Sequence, residues 1–411
     1  MPLRVDRFKF LVTALALTGL LCVRSALAAD PRETYEEATE ALYSLDFVKA
    51  EAAFGQLTET HPAEPDYWNG LAASVWLKIL YDQQKLNMES FSSQDRFGTS
   101  ESEDKISEED EARLRQLVKR AIEASDSILK KDQGNIHALY AKGAANATLA
   151  SFEGTVKRAY MAAARKAKAA HDLHEEVLKK DPTFHDARAS VGIYDYVVAS
   201  IPGILRYTIL LPLGLHGDGK KVGIERLEEA AAKGKRASVD AKMLLVVVYN
   251  REGQYAKSLK LIDELHAKYP RNFMFEISKA SIYQKQKNWA AAIETYKRIA
   301  ENVRDRKNGY ERLRLEKVYY ELGNCQIHGM QFDDAAATFA KVVAGEKAGP
   351  NEKAISHLWM GKVLDGKYQV TRDPRQRADA VEHYRAVEKL NCDAALKKEA
   401  RAFLRRPFVS K

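Results

Sequence analysis

The chain has 411 residues, of which 45% are hydrophobic and 30% charged, enough to bury a large core as two to three ordinary domains or as one long repeat array. Of its net charge of +8, the first 28 residues supply +3 (Arg4, Arg7, Lys9 and Arg24 against Asp6). The +5 that remains on so long a chain gives solubility and does not point to a nucleic-acid partner.

Arg4, Arg7 and Lys9 precede an apolar stretch at 11–23, and Ala26, Leu27 and Ala28 supply the small-residue pattern of a cleavage site. The reading is a secretory signal at 1–28, cleaved near Ala28/Ala29, which places the mature chain in the periplasm or cell envelope; an uncleaved anchor is the alternative. Leu21 before Cys22 argues against a lipoprotein signal. Export makes a bridge between Cys325 and Cys392 chemically feasible, but the helical register puts one in mid-helix and the other at a helix end. Two separate thiols are therefore expected.

Nearly all of the mature chain carries apolar residues at helical spacing, and strand alternation is missing. One pattern recurs near the ends of helical runs: a small residue, an apolar or aromatic residue four later, an apolar residue three after that, then a breaker. Ala50, Phe54, Leu57 and Pro62 begin the series. Ala121, Ser125, Ile128 and Gln133 follow, then Ala170, His174, Val177 and Pro182, and Ser258, Ile262, Leu265 and Pro270. Ala292, Tyr296 and Ile299; Ala335, Phe339 and Val342; and Ala380, Tyr384 and Val387 complete it. Steps of four and three put each set on one helical face.

In these residues the sequence resembles the tetratricopeptide repeat family. Tyr319, Leu322 and Gly323, followed by Phe332 and Ala335, match the family's helix A and helix B spacing; His357, Met360 and Gly361, and Trp68, Leu71 and Ala72, are weaker copies. Close helix approach needs a small side chain opposite a large one, so Gly323 and Ala335 are expected to oppose aromatics such as Tyr319 and Phe339. The expected fold is all-α: a right-handed α-solenoid of about eight hairpins, closed by a capping helix at 394–404. Beyond the signal, the chain divides into N-terminal repeats at 29–182, an irregular repeat at 183–238, and C-terminal repeats with the cap at 239–405.

Three stretches break the period. Residues 87–110 are rich in Ser, Glu and Asp and read as an acidic loop, with Ser107 and Asp110 capping the next helix. Residues 194–215 contain two very apolar runs broken by Pro202, Arg206 and Pro212, an enlarged hairpin that is either packed or offered to a partner or membrane surface. Residues 304–317 carry Arg304, Arg306, Lys307, Arg312, Arg314 and Lys317, a charge run expected to be a solvated linker or an anionic contact. The final residues 407–411 read as a frayed tail.

No nucleophile elbow, dinucleotide fingerprint or Cys/His dyad is present, so no catalytic residue or cofactor is assigned. His171, His174 and His185 are the one grouping with metal-ligand chemistry; His174 falls on a core position, and no metal is expected. The family resemblance implies ligands along the helix A faces of a concave groove. By register these are Met243, Val247 and Asn250; Met274, Ile277 and Gln284; Lys317, Tyr320 and Asn324; and Leu358 with Lys362. Apolar area with interspersed Asn and Lys suits an extended peptide or an amphipathic helix. The leading expectation is an exported scaffold that binds a protein or peptide partner, or another copy of itself. A lipid or membrane-surface factor acting through 194–215 is the alternative, with peripheral membrane contact, and a metal-dependent enzyme is the third reading.

Overall fold

The computed structural model describes residues 30–83, 86, 106–201 and 214–409. Seventeen α-helices and no strand lie among them, forming eight successive hairpins and a final helix. The hairpins are α1 (Pro31–Tyr43) with α2 (Phe47–Thr60), α3 (Pro65–Asp82) with α4 (Glu108–Leu129), α5 (Ile136–Thr155) with α6 (Tyr160–Lys180), and α7 (Ala187–Ser200) with α8 (Lys220–Lys233). They continue as α9 (Ser238–Arg251) with α10 (Tyr255–Lys268), α11 (Phe273–Lys285) with α12 (Trp289–Arg304), α13 (Leu315–His328) with α14 (Phe332–Ala344), and α15 (Pro350–Thr371) with α16 (Pro374–Lys389); α17 (Ala394–Arg405) closes the array. Each helix packs on its neighbours in sequence order, so the fold is an all-α solenoid.

Local chemistry sets the boundaries. Pro31, Pro65, Pro350 and Pro374 occupy first helical positions, where the missing N–H costs nothing. Asp46, Ser107, Asn135, Asn272 and Asn288 accept from the backbone of the turns they cap. Ser107 does so through Asp110, as its spacing predicts, at 3.0 Å.

The A helices of hairpins 1, 5, 6 and 7 end alike. Leu45, Gly253, Lys287 and Met330 adopt φ between 56° and 71°, and the following N–H returns to the carbonyl five residues back, as in Asp46 to Ala41 at 2.9 Å and Gln331 to Gln326 at 2.8 Å. This six-to-one bond satisfies a carbonyl the helix would otherwise orphan. Only one of the four uses the residue that adopts this conformation without steric cost.

Small residues face large ones where the hairpins close. A Cβ on Gly323 would lie 2.7 Å from the Phe339 ring, and one on Gly361 2.5 Å from Tyr384. Gly143 lies against His174 in the same way. His174 thus stands where other repeats place an aromatic ring, and it stacks on Tyr140 with centroids 5.0 Å apart.

The array also folds onto itself. The first hairpins lie across the loops that lead into α9, α11 and α13. Tyr43 donates to Asp240 at 2.9 Å, the Asn272 amide donates to the Tyr43 carbonyl at 2.9 Å, and the Tyr43 and Tyr269 rings lie 5.4 Å apart. Ion pairs flank this contact: Glu40 with Lys268 at 2.8 Å, Asp46 with Arg271 at 3.2 Å, and Asp66 with Arg236. Further along, Tyr81 packs on Phe273, and Asp82 faces Arg312 at 3.8 Å. One hydrophobic cluster consequently joins the N-terminal repeats to hairpins 5–7.

Two expectations are corrected here. The 304–317 run keeps most of its charged side chains exposed, as a solvated linker would, but it is not free of the fold: Tyr310 within it is fully buried and donates to Glu276, and Arg312 joins the self-contact. Apolar burial and a buried carboxylate acceptor anchor Tyr310, while the charges around it stay in water. The end of the chain is not frayed as far as Phe408, which is fastened to α15. The cap at 394–404 is observed as α17. The signal at 1–28, residues 87–105 of the acidic loop, and residues 202–213, 410 and 411 lie outside the described residues. Tyr194, Tyr196, Val198 and Leu215, which flank the Pro/Gly segment, are core residues.

Candidate functional site

The structure divides the eleven groove residues into distinct environments. Leu358, Met274 and Asn250 are buried, Leu358 to 2% exposure, and offer almost no surface to a ligand. Met243, Val247 and Ile277 are half-buried against the main hydrophobic cluster. Their helical period serves repeat stacking, because alternate A-helix residues must pack on the neighbouring hairpin. Gln284 is half-buried and fully engaged: its amide faces Glu321 at 3.3 Å and the Cys325 thiol at 3.1 Å, and its carbonyl accepts from Tyr296 at 3.2 Å.

Lys317, Tyr320 and Asn324 lie together on one face of α13, at the i, i+3, i+7 spacing of a helical stripe. Lys317 is exposed, whereas Tyr320 and Asn324 are half-buried and Tyr320 packs against the hydrophobic cluster of Ile327, Phe339 and Val342. Burial raises the Tyr320 phenol, and its hydrogen bond with Asn324 opposes that rise. Glu321, beside them, has its carboxyl raised by burial, with Gln284 and Lys317 pulling the other way and Glu352 of α15 reinforcing the rise. This patch presents a cation, a phenol, an amide and a partly desolvated carboxyl. It suits hydrogen bonding to peptide backbone and side chains.

Lys362 does not face a groove. Its ammonium lies 4.4 Å from the Trp359 ring centroid, 5.4 Å from Phe403 and 5.5 Å from Phe408, and pairs with Glu399 at 2.7 Å. The end of the chain covers it, a contact that repeat register could not announce.

The histidines do not converge. His174 is buried with Nε2 3.0 Å from the Tyr140 carbonyl, and burial lowers its pKa to about 4. His171 packs on Tyr194, and His185 faces Glu229 at 3.8 Å. Among the described residues no three His, Cys, Asp or Glu side chains gather as metal ligands. Cys325 and Cys392 are separate thiols, and burial pushes the Cys325 thiol up to about 12, where it stays protonated and unreactive at neutral pH. No described helix is long and apolar enough to cross a membrane.

Sequence reading missed Asp365. It is fully buried on α15, takes both Arg377 contacts at 3.0 and 3.1 Å, and accepts from Tyr384 at 2.9 Å. Its place four residues after Gly361, on the face that packs against α16, was the available signal.

Stacked hairpins with glycine opposite aromatic at the hairpin contacts define a tetratricopeptide-type α-solenoid. The profile of the Iml2/Tetratricopeptide repeat protein 39 family matches residues 187–406, more than half of the sequence, and the chain belongs to that family. No curated protein matches it in whole-sequence comparison. Among solved structures, a tetratricopeptide repeat protein from Parabacteroides merdae ATCC 43184 is 14% identical, covering 81% of this chain and 98% of that one, with a TM-score of 0.31. Yeast Tom70 is 12% identical, covering 92% and 89%, with a TM-score of 0.35. Human IFIT1, as a dimer with PPP-AAAA, is 13% identical, covering 88% and 77%, with a TM-score of 0.34. The architecture is consistent with a protein-interaction scaffold.

Proposed function

We propose that the chain is an exported scaffold that holds a protein partner against the α13 face. The observation that carries this reading is the Lys317–Tyr320–Asn324 stripe, which sets an exposed ammonium beside a half-buried phenol and amide on one face of an A helix, where the other register-matched positions are packed or lie against the chain's own end. Export is supported by the basic, apolar and small-residue succession of residues 1–28.

Crosslinking in native cell envelopes tests the interaction. A stable partner should be recovered with the parent chain, and Lys317→Glu combined with Tyr320→Ala should weaken binding at least about thirtyfold, the effect of losing one interface hot spot of about 2 kcal/mol. Recovery unchanged by the double variant would move the interface elsewhere. N-terminal sequencing of the mature protein tests export independently, with Ala29 the expected first residue and an intact Met1 the result against cleavage.

A further inference from the structure

Phe408 is held as a bound peptide residue would be. Its backbone N–H donates to the buried Asp365 carboxylate at 2.7 Å, and its carbonyl accepts from the Gln369 amide. Asp365 and Gln369 lie one turn apart on α15, so one helix face reads both polar groups of a single residue. The Phe408 ring meets Phe403 edge to face, with centroids 5.4 Å apart and planes at 87°. The Lys362 ammonium stands 5.5 Å from its centroid. The approach is extended: Arg406 has φ −141° and ψ 135°, and Pro407 has no N–H that would need a partner. Val409 remains 65% exposed. Recognition therefore centres on one aromatic residue and its two backbone groups, the combination that fixes an extended peptide on a receptor surface.

We propose that α15 and α17 form a docking site for an extended peptide presenting a phenylalanine-type side chain, and that the chain's own end fills this site until such a segment from a partner displaces it. The site takes the aromatic side chain between Phe403 and the Lys362 ammonium, a backbone N–H on Asp365 and a backbone carbonyl on Gln369. Asp365 does not depend on the ligand for its fold role, since Arg377 and Tyr384 already occupy it. The exchange thus leaves the last hairpin intact. This site shares no residue with the Lys317–Tyr320–Asn324 stripe, so either can fail without the other.

A short tether holds the chain's own end at an effective concentration on the order of millimolar, so a free peptide competes poorly with it. The test uses the full chain and a fluorescein-labelled peptide copying residues 404–411. Phe408→Ala should bind this peptide at least about tenfold more tightly than the parent does. The same peptide with alanine in place of phenylalanine should not bind, and adding Gln369→Ala to Phe408→Ala should weaken binding again. A folded Phe408→Ala chain that ignores the peptide, or binds the alanine peptide equally well, overturns the proposal. Should Phe408→Ala lose its cooperative melting transition, the parent chain with a dye at position 411 gives the same information. Excess peptide must then free the end and lower the dye's anisotropy, and anisotropy that stays constant up to several millimolar peptide, the tether's own effective concentration, overturns the proposal too.

Discussion

Tyr43, the last residue of α1, donates its phenol to Asp240 at 2.9 Å across 197 positions of sequence. The bond marks the place where the first hairpin settles on the start of α9. Surrounding protein pushes the Asp240 carboxyl up, to about 6, with the Asp186 charge adding to the rise and the Tyr43 bond opposing it. The side chain keeps an exposed face, and water screens part of the burial effect there.

A carboxyl raised in the folded state binds its proton more tightly there than in the unfolded chain. Its contribution to stability therefore falls as pH rises from about 4 through about 6, then levels off. Asp240→Asn removes the charge and keeps an acceptor for Tyr43. Thermal unfolding should show the variant melting above the parent at pH 7.5, with the gap closing towards pH 4. A variant that melts below the parent at pH 7.5 would mean that the ionised carboxylate strengthens the self-contact.

Gly323 and Gly55 make opposite predictions for one substitution. Gly323→Ala drives a methyl to 2.7 Å from the Phe339 ring in a packed hairpin, and should cost about 1–3 kcal/mol. Gly55, inside α2, has nothing within 4 Å of a new Cβ. Gly55→Ala should add up to about 1 kcal/mol through helix propensity alone. Denaturant titration of both variants checks the pair, and two destabilisations of equal size would show that the glycines share no packing distinction.

The hairpins were legible because their physics is local. The Ala335, Phe339 and Val342 steps fix one helical face, and the Tyr319–Leu322–Gly323 signature fixes the face it meets, within a few turns of chain. The cap at Ser107 and the limits of α17 were readable for the same reason. Repeat register points Met274, Leu358 and Asn250 to a groove because it gives a residue's angular position on its helix. It does not say what covers that position. Coverage depends on superhelical curvature, which brings Tyr43 to Asp240, and on the chain's end, which brings Phe408 to Lys362 and Asp365. Neither contact leaves a periodic trace in sequence.

Asn272 tests how much the self-contact contributes. It is almost fully buried, its amide donates to the Tyr43 carbonyl, and its carbonyl caps α11 by accepting from Met274 at 3.1 Å. Asn272→Ala orphans a buried carbonyl and removes a cap, so a loss of about 2 kcal/mol or more is expected. Hydrogen exchange locates the damage. Amides at 43–47 should lose protection along with those at 273–275, although they belong to the first hairpin. Loss confined to the start of α11 would mean that the contact is a bystander.

Met330 sits where the A helix of hairpin 7 turns into its B helix, at φ 60°, and is 75% exposed. A side chain gains little there and carries the left-handed conformational cost of about 1 kcal/mol. Glycine adopts the same backbone freely and preserves the Gln331-to-Gln326 bond that closes the turn. Part of the gain is returned through the greater freedom of glycine in the unfolded chain. The expected outcome for Met330→Gly is therefore a net rise in unfolding free energy of about 0.5 kcal/mol, with an unchanged denaturant slope because no packed surface is lost. Gly253→Met inverts the test at the equivalent turn of hairpin 5, where φ is 71°, and should destabilise. If the two substitutions moved stability in the same direction, backbone strain would not be what distinguishes these turns.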